Sequence, residues 1–253
     1  MHLSMFLSYS LLPWQWAAWI VLGLFIGLSK TAFNGITAVI IPVIALIFGA
    51  RESTGLTLPL LCFADFFAVA YYNQHTKWNY LLKLLPWTMA GFGLAILVAR
   101  FVPEQAFKYL MGGCILAGLI VMIWNDLKRK DVPPPSAWWF SAIFGIAGGF
   151  STTIGNIAGP IMAVFLLSMR LPKNNFVGTA AWFYLILNYL KLPIQIFLWK
   201  NITIQSVLFD VTLVPVVIIG ALAGVYLVKR ISEPIYRKTI MVLTLVSTVL
   251  LFI

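Results

Sequence analysis

Apolar runs of about 20 residues, bounded by charge, proline or glycine, follow one another through this chain. Five stand at residues 55–73, 79–100, 105–125, 175–198 and 203–228, and a sixth fills 234–253. At a rise of about 1.5 Å per residue, each reaches roughly 30 Å, the thickness of a bilayer's hydrocarbon core. A water-soluble reading fails on composition: 62% of residues are apolar and 9% charged, against roughly 25% charged in soluble domains. Where no water reaches the backbone, spans must satisfy their own amides, which here means helices. The expected class is an all-α integral membrane protein.

Two other regions are apolar at both ends and interrupted in the middle. Residues 14–50 are interrupted at Gly27–Gly35, and 137–169 at Gly149–Asn156, followed by Gly159 and Pro160. Each arm has about 13–15 residues and reaches only about 20–22 Å, too short to span. The segments are expected either as re-entrant hairpins or as pairs of short spans.

The polar stretch Asp126–Ser136, with prolines at 133, 134 and 135, divides the chain, because consecutive prolines cannot continue a helix. On either side the pattern repeats. A shift of 122 sets Gly27 on Gly149, Ser29 on Ser151, Thr31 on Thr153 and Asn34 on Asn156. A shift of 123 sets Gly55 on Gly178, Asp65 on Asn188 and Lys77 on Lys200; a shift of 129 sets Pro86 on Pro215, Gly91 on Gly220 and Glu104 on Glu233. The expected organisation is an N-terminal membrane repeat (1–125), a cytoplasmic linker (126–136) and a C-terminal repeat (137–253). Each repeat holds one broken or re-entrant segment and three full transmembrane helices. Either count of crossings per repeat is odd, so the second copy is expected inverted relative to the first, a plan common among secondary transporters.

The formal charge of +10 would suggest nucleic acid in a soluble protein. Beside membrane spans, basic residues instead set topology and meet anionic headgroups. With Lys128, Arg129 and Lys130 in the cytoplasm, the same side holds Lys77, Lys83, Arg170, Lys173, Lys229, Arg230, Arg237 and Lys238; the other holds only Arg51, Arg100, Lys108 and Lys200. Both termini are then non-cytoplasmic. Trp14, Trp16, Trp78, Trp124, Trp138, Trp139 and Trp199 fall near span ends as interfacial anchors. No basic start or small-residue cleavage site suggests a removed signal peptide. Cys62 and Cys114 read as packing residues, and His2 and His75 as solvated; no metal or cofactor is expected.

Irregular backbone at membrane depth must be buried in protein or line a wet cavity. The helices expected to start near Asn34 and Asn156 would present free N–H groups and a positive dipole end. Hydroxyls of Ser29, Thr31, Ser151, Thr152 and Thr153 would complete two facing cradles for an anion. The plainer alternative is a pair of tightly packed Gly/Ser kinks. Lys30, inside the first break, would hold substrate charge unless it snorkels to an interface. Lys191, one turn from Asn188, either lines the pathway or pairs with Asp65. Asp65 and Asp210 are the carboxylates well inside spans, each a candidate proton site or structural partner, with Asp65 the favoured one for proton or ion coupling.

The chain resembles the TauE/SafE sulfite exporter family. The resemblance rests on a Gly-rich break in each half, Gly159-Pro160, Arg170–Pro172, Val177–Thr179 and Leu187–Pro193, and is most specific over 145–193. It implies a membrane transporter, not an enzyme, that exports sulfite or an organosulfonate, at a bacterial inner membrane. Expected partners are the small anionic substrate, membrane lipid and a second copy of the chain in a homodimer, with no nucleic acid. The rival readings are an anion channel, an intramembrane hydrolase using Asp65 and Asp210, and a passive assembly subunit. For the hydrolase the sequence offers no Gly-x-Ser-x-Gly or His-Glu-x-x-His motif.

Overall fold

The computed structural model describes residues 12–33, 36, 44, 47–48, 50–98, 137–156 and 158–250. Asn34, the run at 105–125 with Cys114, the linker 126–136 and His2 lie outside them. The described residues form helices and no strands. In chain order the α-helices are α1 (Pro13–Thr31), α2 (Ala50–Tyr72), α3 (Trp78–Val98), α4 (Trp138–Gly155), α5 (Gly159–Ser168), α6 (Lys173–Pro193), α7 (Ile204–Val211), α8 (Val214–Arg230) and α9 (Glu233–Leu250). A π-helical turn, Ile194–Leu198, extends α6.

The surface carries the apolar side chains and the interior carries the polar ones. Leu97, Phe197 and Ile204 are each more than 70% exposed, whereas Asp65, Thr88, Asn188 and Lys191 are buried. In water this would squander the hydrophobic effect; against lipid tails it is the stable arrangement. Three helices are long and apolar enough to cross a membrane (Glu52–His75, Trp78–Leu97 and Lys173–Leu198), or up to four with one bent pair. The protein is therefore an integral membrane protein.

That bent pair corrects the continuous span expected at 203–228. α7 and α8 meet at 53°, with Pro215 in the first turn of α8. Pro215 has no N–H for the carbonyl of Val211 and its ring crowds that carbonyl, so the helix restarts. α7 begins with a reciprocal cap, Ser206 N–H donating to Thr203 Oγ1 and Thr203 N–H to Ser206 Oγ.

The expected breaks also move. α1 continues through Ser29 and Thr31, and α4 runs through Ser151–Thr153 to Gly155 before the chain turns at Asn156. The hydroxyls explain the continuity. Thr31 Oγ1 donates to Gly27 O, Ser151 Oγ to Gly148 O and Thr153 Oγ1 to Gly149 O, so each is satisfied by its own helix rather than unwinding it. Asn156 ends α4 with φ 57°, a left-handed conformation that asparagine tolerates better than most residues. α5 is buried from Gly159 to Leu167 on all sides, the mark of a core helix.

Glycines set the closest packing. A Cβ added at Gly27 would run into Val217 O and Ala221 N of α8, and one at Gly220 into Leu24 O of α1. Across the molecule, a Cβ at Gly149 would run into Thr88 O of α3, and one at Gly91 into Ile146 O of α4. Backbone meets backbone at both crossings, as small residues permit between membrane helices. Thr31 Oγ1 also donates to Ala221 O at 2.8 Å, tying α1 to α8. α2 and α6 pack together between these pairs.

Candidate functional site

Lys30 stands in the last turn of α1 with 5% of its surface exposed. It does not snorkel. Its Nζ lies 2.8 Å from Asp65 Oδ1 on α2 and 4.3 Å from the centre of the Tyr184 ring on α6. A lysine at this depth is costly unless paired, and here a carboxylate and an aromatic face share the task. Asp65 is fully buried and its other oxygen accepts from Asn188 Nδ2 at 2.5 Å.

Lys191 on α6 is also buried, but its partners differ from the expected one. Its Nζ donates to Thr152 O and Thr152 Oγ1, both at 3.1 Å, and to Asn156 Oδ1 at 2.5 Å. Asp65 thus pairs with Lys30, not Lys191. The reason is local: Lys191 faces the end of α4, where terminal carbonyls lack helical partners and carry the negative end of the dipole. Asn156 bridges this cluster to α2, its Nδ2 facing Thr54 O at 3.4 Å and Thr57 Oγ1 at 3.3 Å.

These groups surround a small cavity of about 10 Å³, lined by Ser29, Lys30, Leu61, Thr152, Asn156, Gly159, Tyr184 and Asn188. That is room for about one water. Both Gly-rich segments therefore reach the same place, through the last turns of α1 and α4. Of the expected residues, Ser29, Lys30, Thr152, Asn156 and Asn188 line the cavity, while Asp65 and Lys191 hold its walls. Thr31, Ser151 and Thr153 do not line it; their hydroxyls serve helix packing. Asn34 lies outside the described residues.

The source of attraction is corrected accordingly. The expected cradles were helix N-termini, but α1 and α4 present their C-terminal turns, and among the described residues only α5 begins at the cavity, with Gly159. Positive charge comes mainly from two ammonium groups. Ser29 Oγ is buried with no hydrogen-bond partner, an available donor on the wall. Tyr184 and Leu61 were missed because an aromatic or leucine in an apolar run carries no sign of a site.

Asp210, on α7, is buried and neither carboxylate oxygen has a hydrogen-bond partner. It does not share a proton with Asp65, as a dyad of acid and base carboxylates would. A passive subunit would have no polar cavity at the Gly-rich segments, and this one does.

No curated protein matches the chain, nor does any solved structure. A family model described as sulfite exporter TauE/SafE matches residues 19–251, which takes in every residue of the cavity and both glycine crossings. That family consists of membrane exporters rather than enzymes, and an integral membrane fold with two cations buried beside a central cavity is the form such a task requires: the chain belongs to the TauE/SafE sulfite exporter family.

Proposed function

We propose that this protein exports a small anion, sulfite or an organosulfonate, by alternating access to the cavity beside Lys30. The observation that carries the reading is the charge arrangement: two buried ammonium groups and one carboxylate around a polar cavity. Buried cations without matching acids are expensive in a membrane, and a site that binds negative charge gives them a use. Asp65 is the acid in contact with Lys30 and so the group at which proton coupling would act. The cavity is smaller than the anion, so loading requires the walls to part.

An inverted-repeat plan, with halves at 1–125 and 137–253, supports such motion. The two glycine crossings are related by the same register shifts as the sequence. Adding 122 carries Leu24 and Gly27 to Ile146 and Gly149; subtracting 129 carries Val217 and Gly220 to Thr88 and Gly91. These residues meet in corresponding pairs, Gly27 with Val217 and Gly149 with Thr88, Gly220 with Leu24 and Gly91 with Ile146. Asp65 and its mate Asn188 touch each other, as mates close to a two-fold axis would.

The orientation with non-cytoplasmic termini is supported by how the loops group. Lys77 N–H donates to Thr179 Oγ1, Lys173 Nζ to Ile231 O and Arg237 to Leu167 O, which gathers the basic ends on one side. Asn201 joins Thr54 on the other. In a bacterial inner membrane, negative inside, the potential favours outward movement of an anion by about 2.3 kcal/mol per charge per 100 mV.

The test is efflux from proteoliposomes loaded with sulfite or a sulfonate. Flux should saturate and rise with an interior-negative potential. Flux that ignores voltage refutes an electrogenic carrier, and flux that never saturates favours an anion channel.

A further inference from the structure

The charges beside the cavity sum to a value that limits what it accepts; this inference rests on the anion-export reading above. Three acceptors surround Lys191 Nζ, namely Thr152 O, Thr152 Oγ1 and Asn156 Oδ1, at 3.1, 3.1 and 2.5 Å. They take the three hydrogens of an ammonium, so Lys191 contributes a full positive charge with no carboxylate against it. Lys30 contributes a second, and Asp65 Oδ1, at 2.8 Å, cancels it. Among the described residues no other acid contacts either lysine. The remaining wall is neutral: Ser29, Thr152, Asn156, Asn188, Gly159, Leu61 and Tyr184.

We propose that the site is matched to a monoanion, and that Asp65 is the residue that sets this preference. One negative charge neutralises the buried cluster. A second would stand uncompensated where there is no water to solvate it, and an uncompensated buried charge is rejected strongly. Asp65 therefore acts as a built-in counter-charge that excludes dianions, discrimination by repulsion rather than by fit. The ligand class is a singly charged sulfur oxyanion: a sulfonate R–SO₃⁻, or sulfite in its hydrogensulfite form. Its oxygens would meet Lys30, the free hydroxyl of Ser29 and the Lys191 side of the wall, with any organic group against Leu61 and Tyr184.

The experiment compares methanesulfonate, permanently one charge, with sulfate, permanently two, in proteoliposomes holding the full chain with the potential clamped at zero. The wild type should carry methanesulfonate faster by roughly tenfold or more, and Asp65→Asn should shift the ratio toward sulfate by a similar factor. Asp65→Glu, which keeps the charge, should restore the wild-type ratio. If Asp65→Asn does not fold, Ser29→Asp should cut methanesulfonate flux roughly tenfold further than the neutral Ser29→Asn. Wild-type protein that carries sulfate as fast as methanesulfonate overturns the inference. So does a folded Asp65→Asn with an unchanged ratio, or equal losses in the two Ser29 variants. A protein that carries no anion at all overturns instead the export reading beneath it.

Discussion

Replacing Lys30 by methionine keeps an unbranched side chain of similar length and removes the ammonium, so Asp65 bears the consequence. Asp65 has none of its surface exposed and would keep only the amide of Asn188, the Lys30 contact at 2.8 Å being lost. Removing one partner of a buried ion pair costs about 3–5 kcal/mol, because the other charge stays behind uncompensated. The surviving Asn188 hydrogen bond places the value near the lower end, about 3 kcal/mol. At about 2–4 °C per kcal/mol for a chain of this size, the melting point should fall by roughly 6–12 °C. Adding Asp65→Asn should recover most of that loss, since the double variant buries no charge at this position and the substituted amide oxygen can still accept from Asn188. Thermal unfolding of the full chain in nanodiscs reads both numbers. Lys191→Met, whose lost partners are Thr152 and Asn156, should gain nothing from Asp65→Asn. The pairing is refuted if Lys30→Met melts with the wild type, if the double variant falls by the sum of the single losses, or if Asp65→Asn rescues Lys191→Met.

Gly149→Ala should destabilise by about 1–3 kcal/mol, because its Cβ has only the Thr88 carbonyl to push against. Gly93→Ala meets nothing and should be neutral or stabilising by about 0.5–1 kcal/mol; equal melting shifts in the two would refute the crossing. Asp210→Leu removes two buried, unpartnered oxygens and should stabilise by about 1–3 kcal/mol with export intact. Lost export in a well-folded Asp210→Leu protein would instead make that carboxylate part of the transport machinery. Tyr236→Phe deletes the hydrogen bond from its hydroxyl to Ala32 O, 2.8 Å long and buried just beyond α1, and should cost about 1 kcal/mol in the same melting assay.

Ionisable residues inside apolar runs are conspicuous, and Lys30, Asp65 and Lys191 could be found from sequence because a lone charge at membrane depth needs a reason. Which lysine meets Asp65 could not. That depends on how far α1, α2 and α6 are rotated and slid against one another, and the repeat arithmetic pointed to Lys191 through Asn188 instead. The hydroxyls misled for a different reason. A serine or threonine in a Gly-rich stretch can open a helix or bond back to its own carbonyls, and sequence does not distinguish the two. Prolines were equally ambiguous: α2 and α3 run on through Pro59 and Pro86, while the chain bends next to Pro215. The glycines were legible as a repeated pattern, but their service as contact points between particular helices became visible only when the neighbouring carbonyls were located.

Those contact points have a mechanical result. Where one main chain rests directly on another, no side chain can yield, so α1 moves with α8 and α3 moves with α4 as stiff pairs. Slack remains at the seam of α2 and α6, where longer side chains, not bare backbone, fill much of the space. Any opening wide enough to admit an anion is therefore a parting of two braced struts about that seam, and the residues that must let go first are the ones clasped across it, Asp65 and Asn188.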